Sequence, residues 1–170
     1  MHQPSIPSAQ ERIYHTLCTL LTHAGISYRT LHHAPTLTSE DSARVRGEDV
    51  RIGGKALVMK VGGDFRLCVL SAARKLDSSA LKKHFAVKKV RFASPEELFD
   101  LTGLVPGSVP PFGKPLLPFE LFVDASILAN DRIAFNAGSL TDSIIMSVVD
   151  YVQIAQPVIL SFSASSDAGA

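Results

Sequence analysis

Apolar side chains recur at Ile13, Leu17, Leu20 and Leu21, a helical spacing that predicts an amphipathic helix over residues 9–24. Gly25 follows it and supplies a left-handed cap without steric penalty. Residues 26–31 read as a short strand leading into His32-His33-Ala34-Pro35-Thr36. Thr38-Ser39-Glu40-Asp41 then offers capping side chains and first-turn acids for a second helix through Arg46, stopped by Gly47. Two β-prone runs, 55–61 and 65–70, flank Gly62-Gly63-Asp64 and predict a hairpin.

Beyond the hairpin, residues 76–85 read as a helix opening near Asp77 or Ser78, and 89–92 as a strand. Ser94-Pro95-Glu96-Glu97 combines a cap, a first-turn proline and two acids, so a further helix opens there and ends by Gly103. Glycines and prolines crowd residues 103–118 and make this a shaped loop. Residues 120–123 and 132–136 read as a hairpin-like pair of strands. Thr141-Asp142 is expected to cap a helix over 143–149, with a final strand over 151–155. Residues 161–170, rich in Ser and Ala without apolar periodicity, are expected to be a frayed tail after a single domain spanning 1–160. Helices and strands do not alternate as parallel units, which predicts an α+β domain with a mixed sheet wrapped by helices.

The length of 170 residues suits one domain, and 46% apolar against 19% charged residues places the chain among globular proteins. No apolar run reaches the ~20 residues of a membrane span, and the first residues lack a basic-then-apolar export signal. Cys18 and Cys68 each sit within apolar runs and read as small buried hydrophobes, which fits a reducing cytoplasm. The net charge of +1 does not announce a nucleic-acid binder, but Arg44, Arg46 and Arg51 form one basic group. A longer one runs from Arg74 and Lys75 through Lys82, Lys83, Lys88, Lys89 and Arg91, and by itself could be no more than a solvated face.

Gly53-Gly54-Lys55 invites a phosphate-loop reading that fails on spacing. Asp49 stands where the first glycine is required, and Ala56 where Ser or Thr would ligate magnesium. His32 and His33 have no metal-ligand cluster at suitable spacing, and adjacent strand residues face opposite ways, so no metal or cofactor is expected. No Gly-x-Ser-x-Gly elbow occurs and neither cysteine lies in a polar loop beside a histidine, which leaves nucleophilic triad chemistry without a candidate.

Four separated pieces remain: His33-Ala34-Pro35-Thr36, Gly54-Lys55-Ala56-Leu57, the loop from Thr102 to Gly113 (TGLVPGSVPPFG), and Asn136-Ala137-Gly138-Ser139. In order and spacing the set resembles the YbaK/EbsC family of prolyl-tRNA-synthetase-associated editing domains, over about residues 26–156. The Gly-x-x-Pro-Gly run at Gly103 to Gly107, followed by Pro110-Pro111-Phe112-Gly113, is its most specific part. The segment 44–54 is longer and more polar than in the best-known members.

The resemblance implies a curved mixed sheet and metal-independent hydrolysis, in trans, of the ester between a small amino acid and its tRNA, tRNA-Pro or a related one. In this family a lysine entering a central strand points into the substrate pocket, and Lys55 matches it; without its neighbours it would read equally as a surface lysine. Gly103, Pro106 and Gly107 match the loop that lines the aminoacyl pocket, where glycines let main-chain groups approach the substrate and proline stiffens the wall. His33, Thr36, Pro111, Phe112, Gly113, Asn136, Gly138 and Ser139 complete the implied substrate-binding set. Lys82, Lys83, Lys88 and Lys89 become candidates for tRNA phosphate contact. The implied partners are the charged tRNA end and an aminoacyl-tRNA synthetase, with neither DNA nor membrane. The alternatives are a non-catalytic module on the same scaffold, holding an aminoacyl end or a synthetase, and a hydrolase of another small acyl ester.

Overall fold

A computed structural model describes residues 5–166. Helix α1 (Ala9–His23) opens on a capping box in which the Ser8 side chain accepts from the Glu11 amide and Glu11 reaches back. Strand β1 (Tyr28–His32), helix α2 (Ser39–Arg46), a 3-10 turn (Val50–Ile52), β2 (Gly54–Val61) and β3 (Asp64–Ser71) follow. Then come β4 (Arg74–Leu76), α3 (Ser78–Phe85), β5 (Val90–Phe92) and α4 (Pro95–Thr102). After the long loop the chain forms β6 (Leu121–Asp124), α5 (Ala125–Leu128), β7 (Arg132–Asn136), β8 (Asp142–Ser147), α6 (Val148–Ala155), β9 (Val158–Leu160) and β10 (Ser163–Ser165).

The central sheet has the order β5-β2-β3-β6-β9 and mixes antiparallel pairing of β5, β2 and β3 with parallel pairing of β3, β6 and β9. Both of its faces are covered. Val58, Leu67, Val69, Leu121 and Val123 point into the main core with Leu17 and Leu21 of α1 and Tyr151 of α6. Met59, Val61, Cys68, Leu70 and Phe122 point the other way, against Leu81 of α3. This two-sided burial explains why β2 and β3 read as nearly continuous apolar runs. Burial also pushes the Cys68 thiol up to about 12.

A second sheet, β1-β8-β7, is antiparallel throughout. It meets the central sheet where Gly53 bridges to Ala134, just before β2 begins. That junction carries the candidate site. The fold is α+β with a mixed sheet, as the pattern predicts, and the hairpin, α1, α2, α3 and α4 lie where they were expected.

Four expectations are corrected. Residues 143–149 were expected to be helical, but 142–147 form β8, the middle strand of its sheet, and Ser147 rather than Thr141 or Asp142 caps the helix that follows. The Ser-Ile-Ile-Met run fits a strand buried between two partners better than a helix with one wet face. Residues 151–155, expected to be a strand, are the body of α6, whose Tyr151 is fully buried and donates to the Pro111 carbonyl at 2.6 Å. Strands β6 and β7 do not pair with each other; α5 turns the chain between two sheets. Residues 161–166 are held, not frayed: Phe162 is fully buried and β10 pairs with β4, while 167–170 lie outside the described residues.

Candidate active site

A cavity of about 310 Å³ opens at the junction of the two sheets. Its walls come from five parts of the chain: residues 36–46 leading into and along α2, residues 53–57 at the start of β2, Ala72 after β3, the loop at Pro106, Gly107 and Val109, and the end of β7 at Asn136 with Leu140 beyond it. The glycine-proline loop, the strand-entrance amine and the asparagine turn therefore surround one space. Among the described residues no Asp or Glu lines it, whereas Lys55 and Arg46 both do.

Lys55 is half-buried at the second position of β2, and its Nζ donates to the Arg74 carbonyl at 2.9 Å. An ammonium has three donors, so two remain for a ligand. Burial lowers its pKa from the ordinary value, against the opposing pull of Glu40 in the first turn of α2. Gly53 ahead of it packs so closely on Ala72 that a Cβ would stand 2.8 Å from that residue's Cβ. The tight fit fixes where β2 starts and hence where the amine projects.

Gly107 adopts φ +85°, a conformation that a side chain would strain, and its carbonyl accepts from Nδ2 of Asn136 at 2.7 Å. The loop wall is thus tied to the end of β7. Oδ1 of Asn136 accepts in turn from Nη2 of Arg46 at 3.0 Å. The Nε of Arg46 donates to Ser143 Oγ at 2.9 Å, and that hydroxyl lies 2.7 Å from His33 Nε2. Desolvation brings the Arg46 pKa down to about 10, which leaves it protonated at neutral pH. Thr36 and Ser42 line the same cavity with their hydroxyl oxygens 2.7 Å apart.

Lys55, Pro106, Gly107, Thr36 and Asn136 therefore line the cavity, and the remaining predicted residues serve around it or away from it. His33 belongs to the hydrogen-bonded layer that anchors Arg46. Gly103 caps α4 and packs against Ala9 of α1. Pro111 and Phe112 face the core, where Phe112 stacks edge-on with Phe135 and Tyr151, and Gly113 sits against the Phe119 carbonyl. Gly138 packs on α1, and Ser139 donates to Asp142 at 2.7 Å to hold the turn. The sequence pattern groups these residues with the pocket because they flank lining residues along the chain, and a one-residue step in a loop is enough to turn a side chain inward.

The sequence pattern does not single out Arg46 or Ser143 as site residues. Arg46 is one of three clustered arginines, and Ser143 lies in a segment whose pattern predicts a helix. No local signal singles out Arg46; only the packing of α2 brings its side chain to β7 and β8.

Lys82, Lys88 and Lys89 line another cavity with Lys60 and Arg91, at the end of β2 remote from Lys55; Lys83 is exposed beside Lys82 on α3. Five residues of extended strand separate Lys55 from Lys60, about 17 Å. Among the described residues, no group of three or more His, Cys, Asp and Glu is placed to hold a metal ion, and no helix is long and apolar enough to cross a membrane.

Among solved structures, the fold is similar to that of a proposed trans-editing enzyme for prolyl tRNA synthetase, with a TM-score of 0.80, 20% identity, and coverage of 95% of this chain and 100% of that one. It is also similar to the hypothetical protein APE2540, with a TM-score of 0.77, 24% identity, and 87% and 99% coverage. In sequence, the chain is 38% identical over 152 residues to the multifunctional Ser/Thr-tRNA deacylase ProXp-y of Escherichia coli (strain K12), covering 86% of this chain and 90% of that protein. The family model for the aminoacyl-tRNA editing domain matches residues 33–154, which include every residue of the cavity wall. This chain belongs to the aminoacyl-tRNA editing domain family.

Proposed function

We propose that this chain, an aminoacyl-tRNA deacylase by family, acts in trans in the cytoplasm on tRNA that carries the wrong small amino acid, with serine and threonine foremost. The observation that carries the reading is the convergence of Lys55, the Pro106-Gly107 wall and Asn136 on one small cavity that no carboxylate of the described residues lines. Such a lining suits a ligand that brings phosphate and develops negative charge as its ester is attacked.

In the proposed reaction Lys55 uses its two free N–H donors on the phosphate or ribose of the terminal nucleotide. Main-chain groups at Gly107, held by Asn136, orient the ester carbonyl. The lining offers hydroxyls from Thr36, Thr38, Ser39 and Ser42 but no His, Asp or Glu to act as a base on them, so in this reading water is the nucleophile. Its oxygen bonds to the carbonyl carbon, the bond from that carbon to the ribose oxygen breaks, and the proton passes to the ribose oxygen. In this reading the vicinal ribose hydroxyl relays it. A pocket that accepts a small misacylated group acts as a second sieve where the first binding step discriminates poorly. In this reading Lys82, Lys83, Lys88 and Lys89 meet phosphates farther along the acceptor stem.

Deacylation of a panel of mischarged tRNAs by the wild type and by Lys55→Ala tests this reading. Turnover by the wild type and its loss in the variant are expected. Binding without turnover would make the chain a holding module, and equal rates would remove Lys55 from the chemistry. Turnover of simple acyl esters without tRNA would point to a different substrate.

A further inference from the structure

Arg46 is 9% exposed at the end of α2, a place where a guanidinium ordinarily has a carboxylate partner. Here its two hydrogen-bond acceptors are an alcohol, Ser143, and an amide, Asn136. They hold Nε and Nη2 from two adjacent strands, so the planar head has little freedom. The remaining nitrogen, Nη1, makes no hydrogen bond among the described residues. It lies 3.9 Å from where a Cβ on Gly53 would stand, and Gly53 and Arg46 both line the cavity. Among the described residues Nη1 is not one of the buried side-chain atoms that lack a partner, so solvent reaches it and the site has a fixed, cationic donor open at its wall.

We propose that Arg46 is the specificity-determining residue of the editing site: Nη1 donates a hydrogen bond to the side-chain hydroxyl oxygen of a seryl or threonyl group. The inference rests on the deacylase reading above and deepens it by assigning the choice among amino acids to one side chain. The hydroxyl's own proton finds acceptors in the Thr36–Ser42 pair on the same wall. Val109 and Leu140 give the methyl of threonine an apolar neighbour. An alanyl or glycyl group offers Nη1 no hydroxyl oxygen, so the transition state for its hydrolysis lacks a bond that the seryl and threonyl groups make.

The test is single-turnover deacylation, at protein concentrations below saturation, of one tRNA charged in turn with Ser, Thr and Ala, by the wild type, Arg46→Met and Arg46→Lys, with each variant's fold checked by circular dichroism. Losing a hydrogen bond to a charged donor is expected to set Ser and Thr at least about tenfold ahead of Ala in the wild type, and Arg46→Met should bring that ratio near one by slowing Ser and Thr. Arg46→Lys, which keeps the charge but not the fork, should fall between. Rates that drop equally for all three amino acids would make Arg46 a structural residue only and overturn the proposal. A wild type that shows no preference for the hydroxyl groups would overturn it without any variant. If Arg46→Met does not fold, an unchanged Ser-to-Ala ratio in Arg46→Lys overturns it as well. A folded wild type that turns over none of the three overturns the deacylase reading itself, whereas turnover without hydroxyl preference overturns this inference alone.

Discussion

Nη2 of Arg46 donates to Oδ1 of Asn136 across 3.0 Å, and Nδ2 of the same amide donates to the Gly107 carbonyl at 2.7 Å. One side chain therefore couples the end of α2 to the loop that walls the cavity. Asn136→Ala removes both bonds, strands a guanidinium nitrogen and a carbonyl, and should cost about 1–3 kcal/mol in a denaturant titration. Asn136→Asp keeps the acceptor for Arg46 but sets a carboxylate against the Gly107 carbonyl. Its stability should stay nearer the wild type while turnover falls. Wild-type turnover in Asn136→Asp would show that the tether to Gly107 is dispensable.

Gly53 has no room for a methyl group, since a Cβ would stand 2.8 Å from that of Ala72 and 3.2 Å from the Val50 carbonyl. Gly53→Ala must push the 3-10 turn away from the segment after β3, at a cost of about 1–3 kcal/mol for overpacking. Because Lys55 lies two residues on, the deacylation rate should fall by more than the melting shift accounts for. Unchanged melting and activity would mean that the junction is more yielding than its close packing indicates.

Lys82, Lys88 and Lys89 share one cavity at the end of β2 away from Lys55. Replacing all three by Gln should weaken tRNA binding and flatten the dependence of log K on log salt by about 0.7–0.9 for each phosphate that is no longer neutralised. Hydrolysis of a minimal aminoacyl-ester substrate should be unaffected. A salt slope equal to that of the wild type would remove this patch from the tRNA path.

The Arg91 guanidinium, and after it the Ser94 amide, hold the Glu97 carboxyl down to about 2, against an ordinary 4.5. A depressed carboxylate stabilises the fold above its ordinary value, and that contribution drains away as pH falls from 4.5 through about 2. Since Glu97 also closes the capping box of α4, acid should fray the start of that helix first. An NMR titration of the Glu97 side chain should find its midpoint near the depressed value, moving up toward the ordinary one in Arg91→Ala. A midpoint that ignores the substitution would mean that the Arg91 ion pair contributes nothing in solution.

Local chemistry determined much of this protein from the sequence alone. Thr38, Asp77 and Ser94 are caps whose side chains satisfy nearby amides whatever the tertiary context, so the helices they open were legible, while α1 was legible from its apolar spacing. The Gly62-Gly63 turn set the register of β2 against β3 in the same way. The order of the glycine-proline loop, Lys55 and the asparagine turn pointed to the family before any geometry was known. Tertiary structure alone decided where burial overrides a plausible local signal. Thr141-Asp142 looks like a helix cap, yet Asp142 accepts from Ser139 and lies 2.9 Å from His32 Nδ1, while 143–146 fill the middle of a sheet. Phe162 anchors a segment whose composition reads as loose. Arg46 is the clearest case, because nothing in its immediate sequence distinguishes it from Arg44 or Arg51. Only packing across α2, β7 and β8 turns that one guanidinium inward, onto Ser143 and Asn136 at the wall of the cavity.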